Sequence, residues 1–173
     1  MSALAATTNY FERGGHRYQD EAYSDDAKQL SQKERELVEA LRSGRAITPP
    51  FDLLPPGLAA DISARWSLPC EAAFEYLAAR APNALLCLII EGQMDAADLT
   101  FAAEIAGRLR NSLEVVRALR PLLNHPAAVV REGAIYGLAN HLDPTLRSNL
   151  ETLAEQDPSA AVRRAATDAV SEG

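Results

Sequence analysis

The side chains able to do chemistry in this chain are few, and their spacing builds no familiar catalytic or metal-binding constellation. Three histidines occur, His16, His125 and His141. No two of them form an HxxxH or HExxH pair, and neither Cys70 nor Cys87 stands at a metal-ligand spacing from any of them, so no metal site is expected. Gly14-Gly15 precedes no helix start and lacks the lysine of a phosphate-binding loop, which argues against a nucleotide cofactor. No G-x-S-x-G or comparable nucleophile motif is present. Carboxylates are plentiful, but on helices they read as solvated faces. No catalytic residue and no cofactor is expected. What remains are side chains suited to gripping another protein. Tyr10, Phe11, Arg13, Arg17, Tyr18 and Tyr23 lie close together near the N-terminus and are of the types that dominate interface hot spots.

The elements that must carry such contacts announce themselves by repetition. Residues 124–134 (Asn-His-Pro-Ala-Ala-Val-Val-Arg-Glu-Gly-Ala) align with 156–166 (Gln-Asp-Pro-Ser-Ala-Ala-Val-Arg-Arg-Ala-Ala), 32 positions on. Pro126/Pro158, Ala128/Ala160, Val130/Val162, Arg131/Arg163 and Ala134/Ala166 match outright, and Leu138 faces Val170. A repeat of that length, helical on both sides of a proline turn, is the signature of stacked helix pairs.

Composition agrees. Hydrophobic residues make up 47% of the 173 but aromatics only 6%, a mix that suits close-packed helices better than strands. The net charge of −7 has no basic segment within it, so a phosphate backbone is not the expected partner. Cys70 and Cys87 fall on apolar helix faces and are expected to be reduced core residues. No signal pattern opens the chain, and its longest apolar run, 84–90, is too short to span a bilayer, so a cytoplasmic protein is expected.

Three regions follow. Residues 1–30 lack helical or strand periodicity and read as a flexible or docking arm. Over 31–57, Ser31-Gln32-Lys33-Glu34 is a capping box, Leu37, Val38 and Leu41 form an apolar stripe, and Gly44 ends the helix. A proline-rich connector (48–57) completes this region. From Leu58 the chain reads as helix after helix. Leu58, Ile62 and Trp66 share one face, Ser67 caps the next helix, and Pro82 opens another. Helices are expected from Asp95 to Leu109 and from Asn111 or Ser112 to Leu123, with Asp143 and Asp157 as later Asp-Pro caps.

The pattern Leu122-Leu123, Pro126, Val130-Arg131, Ala134, Leu138 recurs as Leu150, Leu153, Asp157-Pro158, Val162-Arg163, Ala166, Val170. It resembles HEAT-type repeats, in particular the short bacterial kind also found in phycobilisome-lyase-like HEAT proteins. An earlier copy, Asp95–Gly107, sets Leu99 opposite Val130 and Ala103 opposite Ala134, with Thr100 in the arginine's place. The resemblance implies an all-α fold, a HEAT-like α-solenoid of antiparallel helix pairs over 58–173, with second helices lining the concave side. It also implies a ladder between repeats, made by the turn aspartate and the arginine of the second helix. Asp157 and Arg163 match that pattern, whereas His125 takes the aspartate's place in the first copy.

With Val130, Ala134 and Leu138 pointing inward, Glu132, Tyr136 and Asn140 fall on the open face. The repeat adds Arg164 and Asp168 to it, and the preceding helix adds Glu104 and Arg108. These residues and the arm are the expected partner-binding surface of a non-catalytic protein-interaction module, an adaptor or a subunit of a larger assembly. Two alternatives are a self-assembling subunit that exchanges arms, and a bilin-lyase-type enzyme suggested by the repeat alone.

Overall fold

The computed structural model describes residues 30–45, 47–65 and 69–173. Residues 1–29 of the arm, Trp66 and the expected cap Ser67 lie outside them. The described residues form nine α-helices and no strand: α1 (Gln32–Arg42), α2 (Pro56–Arg65), α3 (Pro69–Arg80), α4 (Pro82–Glu91), α5 (Ala96–Ala106), α6 (Ser112–Leu119), α7 (Ala128–Leu138), α8 (Pro144–Gln156) and α9 (Ala160–Glu172). Single 3-10 turns occur at Phe51–Leu53, Arg120–Asn124 and Ala139–His141. The chain divides into two compact units, with the boundary between Met94 and Asp95.

In the first unit, α1 starts and stops where its sequence demands. The Ser31 hydroxyl accepts from the Glu34 amide at 3.2 Å, and Glu34 Oε2 accepts from the Ser31 amide at 2.9 Å. At the other end Gly44 adopts φ 70°, which a side chain would strain, while the Arg45 amide bonds back to the Ala40 carbonyl at 2.8 Å. Leu37 and Leu41 are buried and Val38 is half-buried.

Glu34 departs from the usual fate of a first-turn carboxylate, being only 1% exposed. It lies on the same stripe as Leu37 and Leu41, so the stripe carries it inward. There its Oε1 accepts from the Tyr76 hydroxyl at 2.7 Å and from Arg80 Nε at 3.0 Å, both on α3. Arg42, in the last turn of α1, grips Glu91 of α4 by two bonds at 2.7 and 3.0 Å. One helix is thus fastened at its two ends to two others.

In the second unit α5, α7 and α9 lie side by side, and α6 and α8 pack beside them. Val130, Ala134 and Leu138 of α7 are fully buried, as are Val162 and Ala166 of α9. Each valine or leucine among them contributes about 1.5–3 kcal/mol by leaving water. The helix expected to reach Leu123 stops at Leu119 and continues as a 3-10 turn, because Pro121 has no amide to donate. Cys70 and Cys87 are half-buried rather than core residues.

α5 and α7 approach more closely than side chains would permit. Gly133 and Gly137, one helical turn apart on α7, rest against Thr100 and Ala103 of α5, and Gly107 rests against Gly137. A Cβ on Gly133 would lie 2.7 Å from the Thr100 methyl, and one on Gly137 would lie 2.6 Å from Leu119 Cδ1. The ascending pairing, 100 with 133 and 103 with 137, makes the two helices parallel.

Candidate functional site

The turns between helices show how the repeat is built. Asp157 was expected to cap α9, but the residue before that helix is Ser159. Asp157 does two other things. Its Oδ1 accepts from the Ser159 amide at 2.8 Å, closing the turn, and its carboxylate takes a forked pair from Arg131 of α7. Nε to Oδ2 is 2.8 Å and Nη2 to Oδ1 is 2.9 Å. The third nitrogen of Arg131 donates to the carbonyls of His125 and Pro126, at 2.8 and 3.1 Å. Arg163 repeats this with the carbonyls of Asp157 and Pro158, at 2.7 and 3.2 Å. The arginine therefore clamps its own turn with one nitrogen and holds the next repeat's aspartate with the other two.

Hydrogen bonding from Arg131 holds the Asp157 carboxyl below its ordinary range. Burial opposes this, but the Ser159 amide and the charges of Arg131 and Arg163 reinforce it.

His125 replaces an aspartate without breaking this logic. Its Nδ1 accepts from the Ala127 amide at 3.1 Å, two residues on, just as Asp157 does with Ser159. It keeps the turn-closing half of the aspartate's work and omits the ionic half. The arginine that would have faced it is Thr100, whose hydroxyl turns back to the Ala96 carbonyl at 2.7 Å and whose methyl fits under Gly133. Both partners of one rung are missing together, and glycine packing stands in its place. His141 supplies another tie, with Nε2 donating to the Gly107 carbonyl at 2.7 Å and Nδ1 accepting from the Ser112 hydroxyl at 2.8 Å. The carbonyl can only accept, so Nε2 is the ring nitrogen that must carry a proton.

On the opposite side of α7, its open face carries Val129, Glu132 and Tyr136, at helical spacing. Tyr136 is 49% and Val129 47% exposed, and the Tyr136 hydroxyl donates to Glu132 Oε1 at 3.1 Å. Asn140, Arg164 and Asp168 are exposed, as is Arg108, while Glu104 and Glu132 are half-buried. Partial burial, the Glu132 hydrogen bond and the charges of Glu132, Glu104 and Asp168 all raise the Tyr136 hydroxyl above its usual range. Glu104, Glu132, Tyr136 and Asp168 thus meet on one surface, drawn from α5, α7 and α9. Val129 was not among the residues read from the sequence, although it stands at i−7 from Tyr136. Tyr10, Phe11, Arg13, Arg17, Tyr18 and Tyr23 lie outside the described residues.

A concavity of about 340 Å³ is lined by Arg120, Leu123, Asn124, Asn149, Thr152 and Leu153. Arg120 donates there to the Asn149 side-chain oxygen from Nε and Nη2, each at 3.2 Å, with the amide turned to present that oxygen. Among the described residues no group of three or more His, Cys, Asp or Glu is placed to hold a metal ion. None of their helices is long and apolar enough to cross a membrane.

Comparison with known proteins agrees with this architecture. The family model for HEAT repeats matches residues 83–171, just over half of the chain. No curated protein and no solved structure gives a significant match. HEAT repeats are generally protein-interaction modules and are typically non-catalytic. The arginine–aspartate rung, the proline turns and the family match have one reading, that this chain belongs to the HEAT repeat family.

Proposed function

We propose that this chain is a non-catalytic, cytoplasmic adaptor or subunit of a larger assembly, which holds a protein partner on the open face of α5, α7 and α9. The observation that carries the reading is the exposure of Tyr136 and Val129 on one helix face. Aromatics are scarce in this chain, and Phe74 and Tyr76 are wholly buried. A tyrosine left half in water, with an exposed valine two turns along the same stripe, Glu132 and Asp168 close about it and Arg108 and Arg164 at the rim, has the composition of an interface centre and its surround. Tyr10, Phe11, Arg13, Arg17, Tyr18 and Tyr23 would add a second contact, and two linked contacts gain through effective concentration without either being strong.

The test is quantitative capture from native lysate, read by mass spectrometry, with full-length wild type beside two full-length variants. One carries Tyr136→Ala with Arg164→Glu, and the other replaces Tyr10, Phe11, Tyr18 and Tyr23 by alanine. A specific protein held by wild type and lost from the first variant is the expected result. Loss from the second variant as well would add the arm. A partner retained undiminished by the first variant would remove the face from the reading.

A further inference from the structure

The open face has a definite charge pattern, and that pattern selects what it can hold. Gly137 lies against Ala103, which brings Glu104, the next residue of α5, level with Tyr136. Asp168 is the residue of α9 that the repeat of 32 places opposite Tyr136. Glu132 stands one turn back on α7, in hydrogen-bond contact with the Tyr136 hydroxyl. A half-exposed aromatic ring therefore has a carboxylate on each neighbouring helix and a third on its own, at helix spacings of about 8–10 Å. Arg108 lies one turn beyond Glu104, and Arg164 one turn before Asp168. The face is thus negative at its centre and positive at two opposite corners.

We propose that the centre of this face takes one cationic side chain, an arginine or lysine of an extended partner segment, seated on the Tyr136 ring between Glu104, Glu132 and Asp168. This rests on the reading that the face is where the partner binds, and it names the chemistry of that partner. The ring presents its negative π-face to a cation, and the carboxylates add attraction that an isolated exposed pair would lack. Arg108 and Arg164 disfavour a second cation close by, so the segment carries its charge singly, with neutral or acidic neighbours. Val129, two turns from Tyr136 on the same stripe, offers an apolar rest for one of those neighbours. An acidic or wholly apolar segment would leave the central carboxylates facing like charge or stripped of water.

Full-length protein is titrated, by fluorescence polarisation, with short labelled peptides that differ only at a central Arg, Lys, citrulline, Leu or Glu. The Arg and Lys peptides are expected to bind about three- to tenfold more tightly than the other three, and less tightly as salt rises. Tyr136→Leu and Glu132→Gln should each remove most of that preference, while Tyr136→Phe, which keeps the ring, should retain most of it. Equal binding of the Glu or Leu peptide, or a preference unmoved by Tyr136→Leu, would overturn the proposal.

A photo-crosslinking amino acid at position 129 separates this outcome from failure of the broader reading. If it joins a partner through an acidic or apolar segment, the face binds but the cation does not. If a captured partner never crosslinks there, both readings fall. Self-association that Tyr136→Leu abolishes would seat a second copy on the face and would also overturn the cationic occupant.

Discussion

At the scale of single residues, two buried carboxylates, Asp157 and Glu34, never act as plain surface charges. Asp157 is held by Arg131 and by the Ser159 amide. Removing one partner of a buried pair leaves the other charged and unpaired, which costs about 3–5 kcal/mol, so Asp157→Ala should lower the unfolding free energy by that order in denaturant titrations. Asp157→Asn, which keeps the turn-closing oxygen, should cost less. The pH dependence has a fixed sign. The folded Asp157 carboxyl titrates below its unfolded value of 3.8, so as pH falls the unfolded chain takes up its proton first. The stability it contributes is complete above that range and is lost as pH falls through the depressed folded value. Thermal melts across the acid range should show this loss, and Asp157→Asn should flatten it; an unchanged slope would remove Asp157 as its source.

Glu34 behaves alike in direction. Burial pushes its carboxyl up, but hydrogen bonds from the Ser31 amide, the Tyr76 hydroxyl and the Ser31 hydroxyl, with the charge of Arg80, outweigh burial and leave it lowered. Tyr76→Phe takes away one of those donors inside the protein, and about 1–3 kcal/mol should go with it, read as a lower denaturation midpoint with unchanged slope. The capping role of Glu34 was legible, since Ser-x-x-Glu is a local signal. Its burial beneath Tyr76 was not, because nothing nearby in sequence marks a partner 42 positions away.

At the scale of elements, the contact between α5 and α7 depends on what is absent from side chains. Gly133 and Gly137 let α7 lie on the backbone of α5, whereas the matching positions of α9, Ala165 and Ala169, carry a methyl. Gly137→Ala would drive its Cβ into the Ala103 carbonyl and Leu119. Alanine favours helices by about 1 kcal/mol over glycine, and overpacking costs about 1–3 kcal/mol or more where the obstacle is backbone. The clash wins, so the variant should be less stable; a gain in melting temperature would show that the helices can part cheaply. Helix starts at Ser31, Asp95, Asn111 and Asp143 were readable because each cap acts within three residues. Asp157 misled for the same reason, since an aspartate before proline looks alike whether it serves its own helix or the arginine of the previous repeat.

At the scale of the whole molecule, a repeat array is held by neighbour-to-neighbour terms. Loosening the Arg131–Asp157 rung by Asp157→Asn should raise hydrogen exchange in α8 and α9 more than in α5, and equal rises would mean that the second unit opens only as one block. The sequence by itself determined that the chain is all-α and repeated, which residues of α7 and α9 face inward, and that Tyr136 faces out. Those properties follow from helical period, proline turns and caps, which act over a few residues and leave a local trace. Tertiary structure alone decided that the rung joins Arg131 to the next repeat's Asp157, that glycines replace a rung between α5 and α7, and that Glu34 is buried. These depend on the offset at which one helix settles against another, and that offset is set by packing across elements rather than by spacing along the chain.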